Sequence, residues 1–209
     1  MRKILTVFMI FLLASCANRE AKLKDLLKQN ILDISLYRME NWLVYYNLKL
    51  EDFTDTLPLI ERHTISVDYD LKSDSISLFN DFLIYSPDSN YCIDLDSYSL
   101  ILEKDSSGEL FSEGSEVDSE VGLLDIKQKK RIRVMFCGTE SMPEEIQWVS
   151  YNSFYILGYT KENNLIRPTI WIHDNKNNTI RVIRLANPID LKGKNYIHEK
   201  RLKTIRFKK

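Results

Sequence analysis

The chain is poor in the residues that punctuate, staple or metallate small folds. Its 209 residues include three cysteines, six glycines, five prolines and three histidines. Three cysteines exclude a disulfide-dense mini-domain. So little glycine and proline argues against a long disordered tether. His63, His173 and His198 lie far apart, and none has ligand-like spacing to another histidine or to a cysteine, so no zinc site is indicated. His173-Asp174 adjoins a run of Asn and Lys, which predicts a solvated turn histidine. The usual catalytic signatures are also missing: no Gly-x-Ser-x-Gly elbow, no His-Glu-x-x-His, no phosphate-cradling glycine loop. Asp94-Leu95-Asp96 begins like a calcium loop, but Tyr98 stands at the next ligand position. Nothing calls for a metal or a cofactor. Carboxylates are abundant, and a glycosidase pair is set by space rather than by sequence, so no two of them are singled out.

Long apolar runs are lacking too, with one short exception at the start. Met1-Arg2-Lys3 carries two positive charges, and Ile4 to Leu13 follow with one hydroxyl and no charge. Ala14 and Ser15 close the run. A charged start, a short apolar core and a small-residue exit are the parts of a secretory signal peptide over 1–15. Ten residues are too few to cross a ~30 Å hydrocarbon layer, which takes about 20 in a helix. The exit Leu13-Ala14-Ser15-Cys16 resembles the lipobox of bacterial lipoproteins, cut before a cysteine that carries diacylglycerol. The resemblance implies an acylated Cys16 held in a lipid bilayer, each buried methylene contributing ~0.8 kcal/mol. The alternative is an ordinary signal peptide with a cysteine nearby. Ala17 follows the cysteine, where enterobacterial lipoproteins kept at the inner membrane carry aspartate. The implied address is therefore an outer membrane, facing the periplasm or the cell surface.

The remaining 194 residues suffice for one domain with a core of its own. The net charge of −1 conceals an uneven distribution. Residues 94–125 hold ten acids against Lys104 alone, and 192–209 hold eight bases against Glu199. A basic tail can signal nucleic acid. In an exported protein a solvated face, or internal pairing with the acidic stretch, is the better reading, so nucleic acid is not an expected partner.

Leu23, Leu26, Leu27 and Ile31 fall at helical spacing, and Leu32, Ile34 and Leu36 alternate as in a strand. The sequence thus predicts a lipid-anchored, partly helical segment over 16–60. The aromatic run around Trp42, Tyr45 and Tyr46 belongs to it, either as core or as a lid on the core. Ile65 to Leu71 alternate apolar and polar, the mark of a half-buried strand. Two stretches then repeat. Ser86 to Cys92 lies on Ser150 to Ile156 at a spacing of 64, and Asp125 to Met135 lies on His173 to Ile183 at a spacing of 48. Each copy reads as two hairpins, the first carrying about 16 extra residues within the acidic stretch 103–121.

Four strands in 40–60 residues, with Ser86-Pro87-Asp88-Ser89 in place of the common Ser-Pro-Asp-Gly turn, resemble a β-propeller blade over 82–185. The expected fold is mostly β: antiparallel sheets over 61–190 with two blade-like repeats, as a propeller-like fragment or an irregular β-sandwich. A short N-terminal helix and a basic tail over 191–209 complete it. Cys92 and Cys137 are candidates for a disulfide closing about 45 residues, or for separate core positions opposite Ile156 and Leu185 of the second copy. Trp148 and Trp171 fall in strands and read as core rather than as a sugar platform. Asp55-Thr56-Leu57 and Asp74-Ser75-Ile76 resemble Asp-Ser/Thr-apolar acceptors for O-glycosylation of exported proteins. The functional expectation is a lipid-anchored, non-catalytic module meeting an envelope protein or glycan. The alternatives are an envelope hydrolase with paired carboxylates and a protective, immunity-type lipoprotein.

Overall fold

The computed structural model describes residues 37–69 and 77–208. The signal segment, Cys16, the helix expected before residue 36 and the Asp74 motif lie outside these residues. What is described belongs to one compact unit, and no helix in it is long and apolar enough to cross a membrane.

The unit opens with helix α1, Tyr37–Tyr46. Met39, Trp42 and Tyr46 recur at helical spacing and are buried. Asn47, at φ 56°, ends the helix in the left-handed region. There the Leu48 N–H reaches the Leu43 carbonyl and the Asn47 N–H reaches Val44, a Schellman closure.

Two antiparallel meanders carry the core. The first runs β4 (Ile84–Tyr85), β5 (Tyr91–Asp94), β8 (Ser119–Asp125) and β9 (Lys130–Cys137), with β3 (Ile65–Asp68) added on β9. The second runs β10 (Ser141–Trp148), β11 (Ser153–Glu162), β12 (Leu165–Asp174) and β13 (Thr179–Arg184). On its outer strand sit β1 (Asp55–Thr56) and β2 (Ile60–Glu61). Each copy of the repeat is therefore a four-stranded meander with an earlier piece of chain on its last strand. Ile93, Leu123 and Val134 of the first sheet meet Ile146, Phe154 and Trp171 of the second in one core. The Trp148 indole donates to the Ile84 carbonyl at 2.9 Å, fastening one sheet to the other. The result is an irregular antiparallel β-sandwich.

The extra residues of the first copy form a hairpin of their own, β6 (Leu100–Lys104) and β7 (Leu110–Ser115). The tail returns as β14 (Arg206–Phe207), parallel to β7. Phe79, Leu102, Leu202 and Ile205 give this corner a separate small core. Boundaries at 61 and 190 thus cut through a single unit, because α1 and the tail both bury side chains in it.

Several expectations are corrected by burial and register. Leu123 pairs with Ile132, whereas its counterpart Trp171 pairs with Val182 rather than Ile180. The alignment is therefore two residues out on the returning strand. All four residues of β3, an edge strand, are exposed, so it is not a half-buried strand. Cys92 and Cys137 are free, buried thiols. They lie on strands flanking β8, paired with Leu124 and Ser119. Five residues along a strand are about 16 Å, beyond the ~7 Å that a disulfide tolerates between Cα atoms. Burial pushes the two thiols up, to about 12 and about 11 respectively. His173 is not a turn residue in solvent. It is fully buried and stacked on Phe154 at 4.9 Å, with neither ring nitrogen hydrogen-bonded.

Burial holds the His173 imidazole down to about 3, with the Arg62 charge adding to the effect. In the unfolded chain it takes a proton near 6.5. Its contribution to stability is therefore complete above pH 6.5 and falls as the pH drops toward 3. We expect His173→Phe to flatten this acid loss, read as urea midpoints at pH 7.5 and pH 4.5. Gly158 is the second sensitive point, since a Cβ there would lie 2.0 Å from the Met142 carbonyl oxygen. Gly158→Ala should cost about 3 kcal/mol or more, seen as a lower midpoint of thermal unfolding.

Candidate functional site

The Gly158 contact marks an irregularity that shapes the most chemically loaded region. Between the pairs Pro143–Gly158 and Glu145–Leu157 the register shifts, so Glu144 is the extra residue of a β-bulge. Proline within a strand is confined to edges and bulges, and β10 is an edge strand. The bulge leaves Glu144 and Glu145 both buried, where a regular strand would send neighbours to opposite faces.

Each carboxylate is met by donors from the ends of the described chain. Glu144 accepts the Trp42 indole N–H at 2.8 Å and the Tyr46 hydroxyl at 2.7 Å. Glu145 accepts Arg38 at 2.9 Å, its neighbour's backbone N–H at 3.0 Å and the Tyr196 hydroxyl at 3.1 Å. Tyr45, Tyr46 and Tyr196 pack as a triad with ring centroids 4.9 to 6.5 Å apart. The Lys194 ammonium lies over the Tyr45 ring at 5.1 Å and donates to the Tyr45 carbonyl at 2.6 Å.

Arg201 completes the arrangement. It sits in a single helical turn, Ile197–Arg201, and grips both oxygens of Asp96 at 2.5 and 2.7 Å. Its Nε–H is buried without a partner. Breaking a buried pair of this kind costs about 3–5 kcal/mol. Further along, Arg206 pairs with Asp105 and Lys208 with Glu113. The basic tail and the acidic stretch are thus joined within the molecule, and the two aspartates that began like a calcium loop are taken: Asp96 by Arg201, Asp94 by Arg131. Among the described residues no cluster fit to hold a metal ion occurs.

Two clefts flank this network, with Arg201 in the lining of both. The larger, of about 740 Å³, lies between α1 and the tail, with Arg38, Tyr45, Glu145, Tyr196, Lys200 and Lys203 around it. The smaller, of about 310 Å³, has Glu144 in its wall together with Glu116, Asp118, Tyr159 and His198. Burial raises the Glu144 carboxyl to about 7, against the lowering effect of its two donors.

Of the residues singled out in the sequence, Cys16 lies outside the described part. Neither Cys92 nor Cys137 lines a cleft, although Cys137 pairs with Ser119 in the wall of the smaller one. Trp148 and Trp171 are core, and Trp42 is a donor to Glu144. Thr56 is exposed beside Asp55, whose carboxylate is held by Arg184 at 2.6 Å. Glu144, Glu145 and Arg201 were not singled out. The available signal was Met142-Pro143-Glu144-Glu145-Ile146, a proline and two acids inside an apolar strand.

The fold defines the class, an antiparallel β-sandwich capped by a helix and a C-terminal strap. No family model matches the chain, and neither a curated protein nor a solved structure does.

Glu144 carries a checkable consequence. Its carboxyl is neutral more readily in the fold than in the unfolded chain, so its contribution to stability is complete below pH 4.5 and is lost as the pH rises through about 7. Glu144→Gln should remove this loss. At pH 8 the variant should match or exceed the parent by on the order of 2 kcal/mol, measured by urea unfolding at pH 5 and pH 8.

Proposed function

We propose that this protein is a membrane-anchored lipoprotein, acylated on Cys16, that serves as a non-catalytic binding module of the cell envelope. The observation that carries the binding role is the cleft of about 740 Å³ between α1 and the tail. The half-exposed Arg38–Glu145 pair, the buried Arg201–Asp96 pair and the packed tyrosines tie its walls together, an arrangement made before any ligand arrives, which lowers the ordering cost of binding. Both carboxylates in its lining are engaged, Glu145 by Arg38 and Tyr196 and Glu199 by the Asn195 backbone N–H at 3.2 Å, while Asp96, outside the lining, holds Arg201. They act as clamps on the cleft rather than as free acids. The partner on this reading is an envelope protein or glycan.

A second reading, an envelope hydrolase, draws on one feature. Glu144 is near neutrality at pH 7 and shares the smaller cleft with Glu116 and Asp118. Against it, both Glu144 oxygens already accept hydrogen bonds.

Fractionation tests the anchor. The native chain should be found in membranes, cut before Cys16 and acylated by intact mass, while Cys16→Ala should be uncut or soluble. A soluble, unacylated native protein would remove the anchor from the proposal. A pulldown from solubilised membranes together with a glycan array tests the module, and a blank in both would count against it. Turnover of a glycan substrate, lost in Glu144→Gln, would favour the hydrolase.

A further inference from the structure

We infer that the smaller cleft, between the start of β10 and the tail, binds a primary ammonium on a short aliphatic stem, with Glu116 and Asp118 taking the charge and the Tyr159 hydroxyl taking one N–H. The inference rests on the binding-module reading and gives it a ligand class at this second cleft.

Every charge in the lining has to be counted. Arg201 and Asp96 hold each other and cancel. His198 is stacked on Phe207 at 3.7 Å, and burial lowers its pKa, so it is neutral at pH 7. Lys194 then stands alone against Glu116, Asp118 and Glu144. Its ammonium is engaged by the carbonyl and ring of Tyr45, in the wall of the larger cleft. Among the described residues, neither Glu116 nor Asp118 has a cation within ion-pair distance. Three carboxylates against one lysine leave the lining at −2, or at −1 with Glu144 protonated. A single ammonium brings this to −1 or to zero, whereas an anion would deepen it.

A second observation is independent of the charge. Tyr159 is only 8% exposed and stands opposite Met142, beside the Glu144 bulge. Its hydroxyl has no hydrogen-bond partner among the described residues and, unlike the Arg201 Nε–H, keeps open surface at the cleft. Burial, with the Glu144 charge adding to it, pushes this phenol up to about 12. At neutral pH it is therefore an intact hydroxyl with a lone pair to offer. A polar group so buried and so placed calls for a partner from outside the protein.

The donor set and the walls suit the ligand. An –NH₃⁺ group carries three N–H donors and no acceptor. Two carboxylates and one hydroxyl give each donor an acceptor. Leu95, Leu100, Val117, Met142 and Ile197 supply apolar wall for the stem. The volume of about 310 Å³ lies at the lower end of the ~300–1,000 Å³ range of small-molecule sites, which limits the stem to a short one.

The full-length protein in detergent, titrated calorimetrically at low ionic strength, provides the test. Pentylamine should bind saturably at one site, and 1-pentanol should not. A Glu116→Gln/Asp118→Asn variant, folded by its unchanged thermal midpoint, should bind about tenfold more weakly or worse. Tyr159→Phe, which keeps the ring, should lose about threefold or more. Glu103→Gln/Glu109→Gln, which removes two carboxylates elsewhere in the acidic stretch, should bind as the parent does. Nα-acetyllysine methylamide separates the sources of the ammonium. Binding of both amines would keep the site and allow a lysine side chain of a partner protein, while binding of pentylamine alone would assign it to a small free amine. No saturable binding of either amine would overturn the inference. So would equal binding by the parent and either cleft variant, or an equal loss in the Glu103/Glu109 variant. Membrane retention and partner capture would then still support the module.

Discussion

A carboxylate taken out of water has to be met by donors, and here the donors come from the two ends of the described chain. Glu144 and Glu145 sit under α1, which contributes Arg38, Trp42 and Tyr46. The tail contributes Tyr196 to Glu145 and Arg201 to Asp96. Removing either end would leave charge buried and unpaired, at several kcal/mol per group. Helix, strap and sandwich are for that reason one unit, and the clefts between them follow from the same bonds.

The same requirement recurs on the outer face of the first sheet. Arg131 reaches Asp94 and Glu120, and Arg133 reaches the other oxygen of Glu120. The Arg131 guanidinium lies over Gly122, where a Cβ would fall 2.4 Å from its central carbon. Two glycines thus serve close approach: Gly122 under a charge ladder and Gly158 under the Glu144 bulge. Both positions lie in strands, where glycine would otherwise only weaken pairing.

Much of the architecture was legible from periodicity. The hairpins beginning at Ser86, Asp125, Ser150 and His173 are present, because alternation and turn residues are local signals. Asn163 and Asn178, with positive φ, close two of the hairpins in the second meander. Register was not legible, since it depends on which strand lies opposite. The exposure of β3 was not legible either, because alternation does not tell whether anything packs on the apolar face. His173 misled for a related reason: its neighbours Asp174 and Asn175 belong to the turn, while its own side chain points into the shared core.

The sequence by itself determined the β character, the paired meanders and the resemblance of residues 13–16 to a lipobox, all of which are written in near neighbours along the chain. Only the tertiary structure decided which charges matter. Glu144 and Glu145 are separated from their partners Trp42, Tyr46 and Tyr196 by 51 to 102 residues. Asp96 and Arg201 are 105 residues apart. Apart from Pro143 beside Glu144, nothing local distinguishes these carboxylates from the other acids of the chain. Burial does, because the cost of a charge depends on what surrounds it, and that is settled when the sheets, the helix and the tail come together.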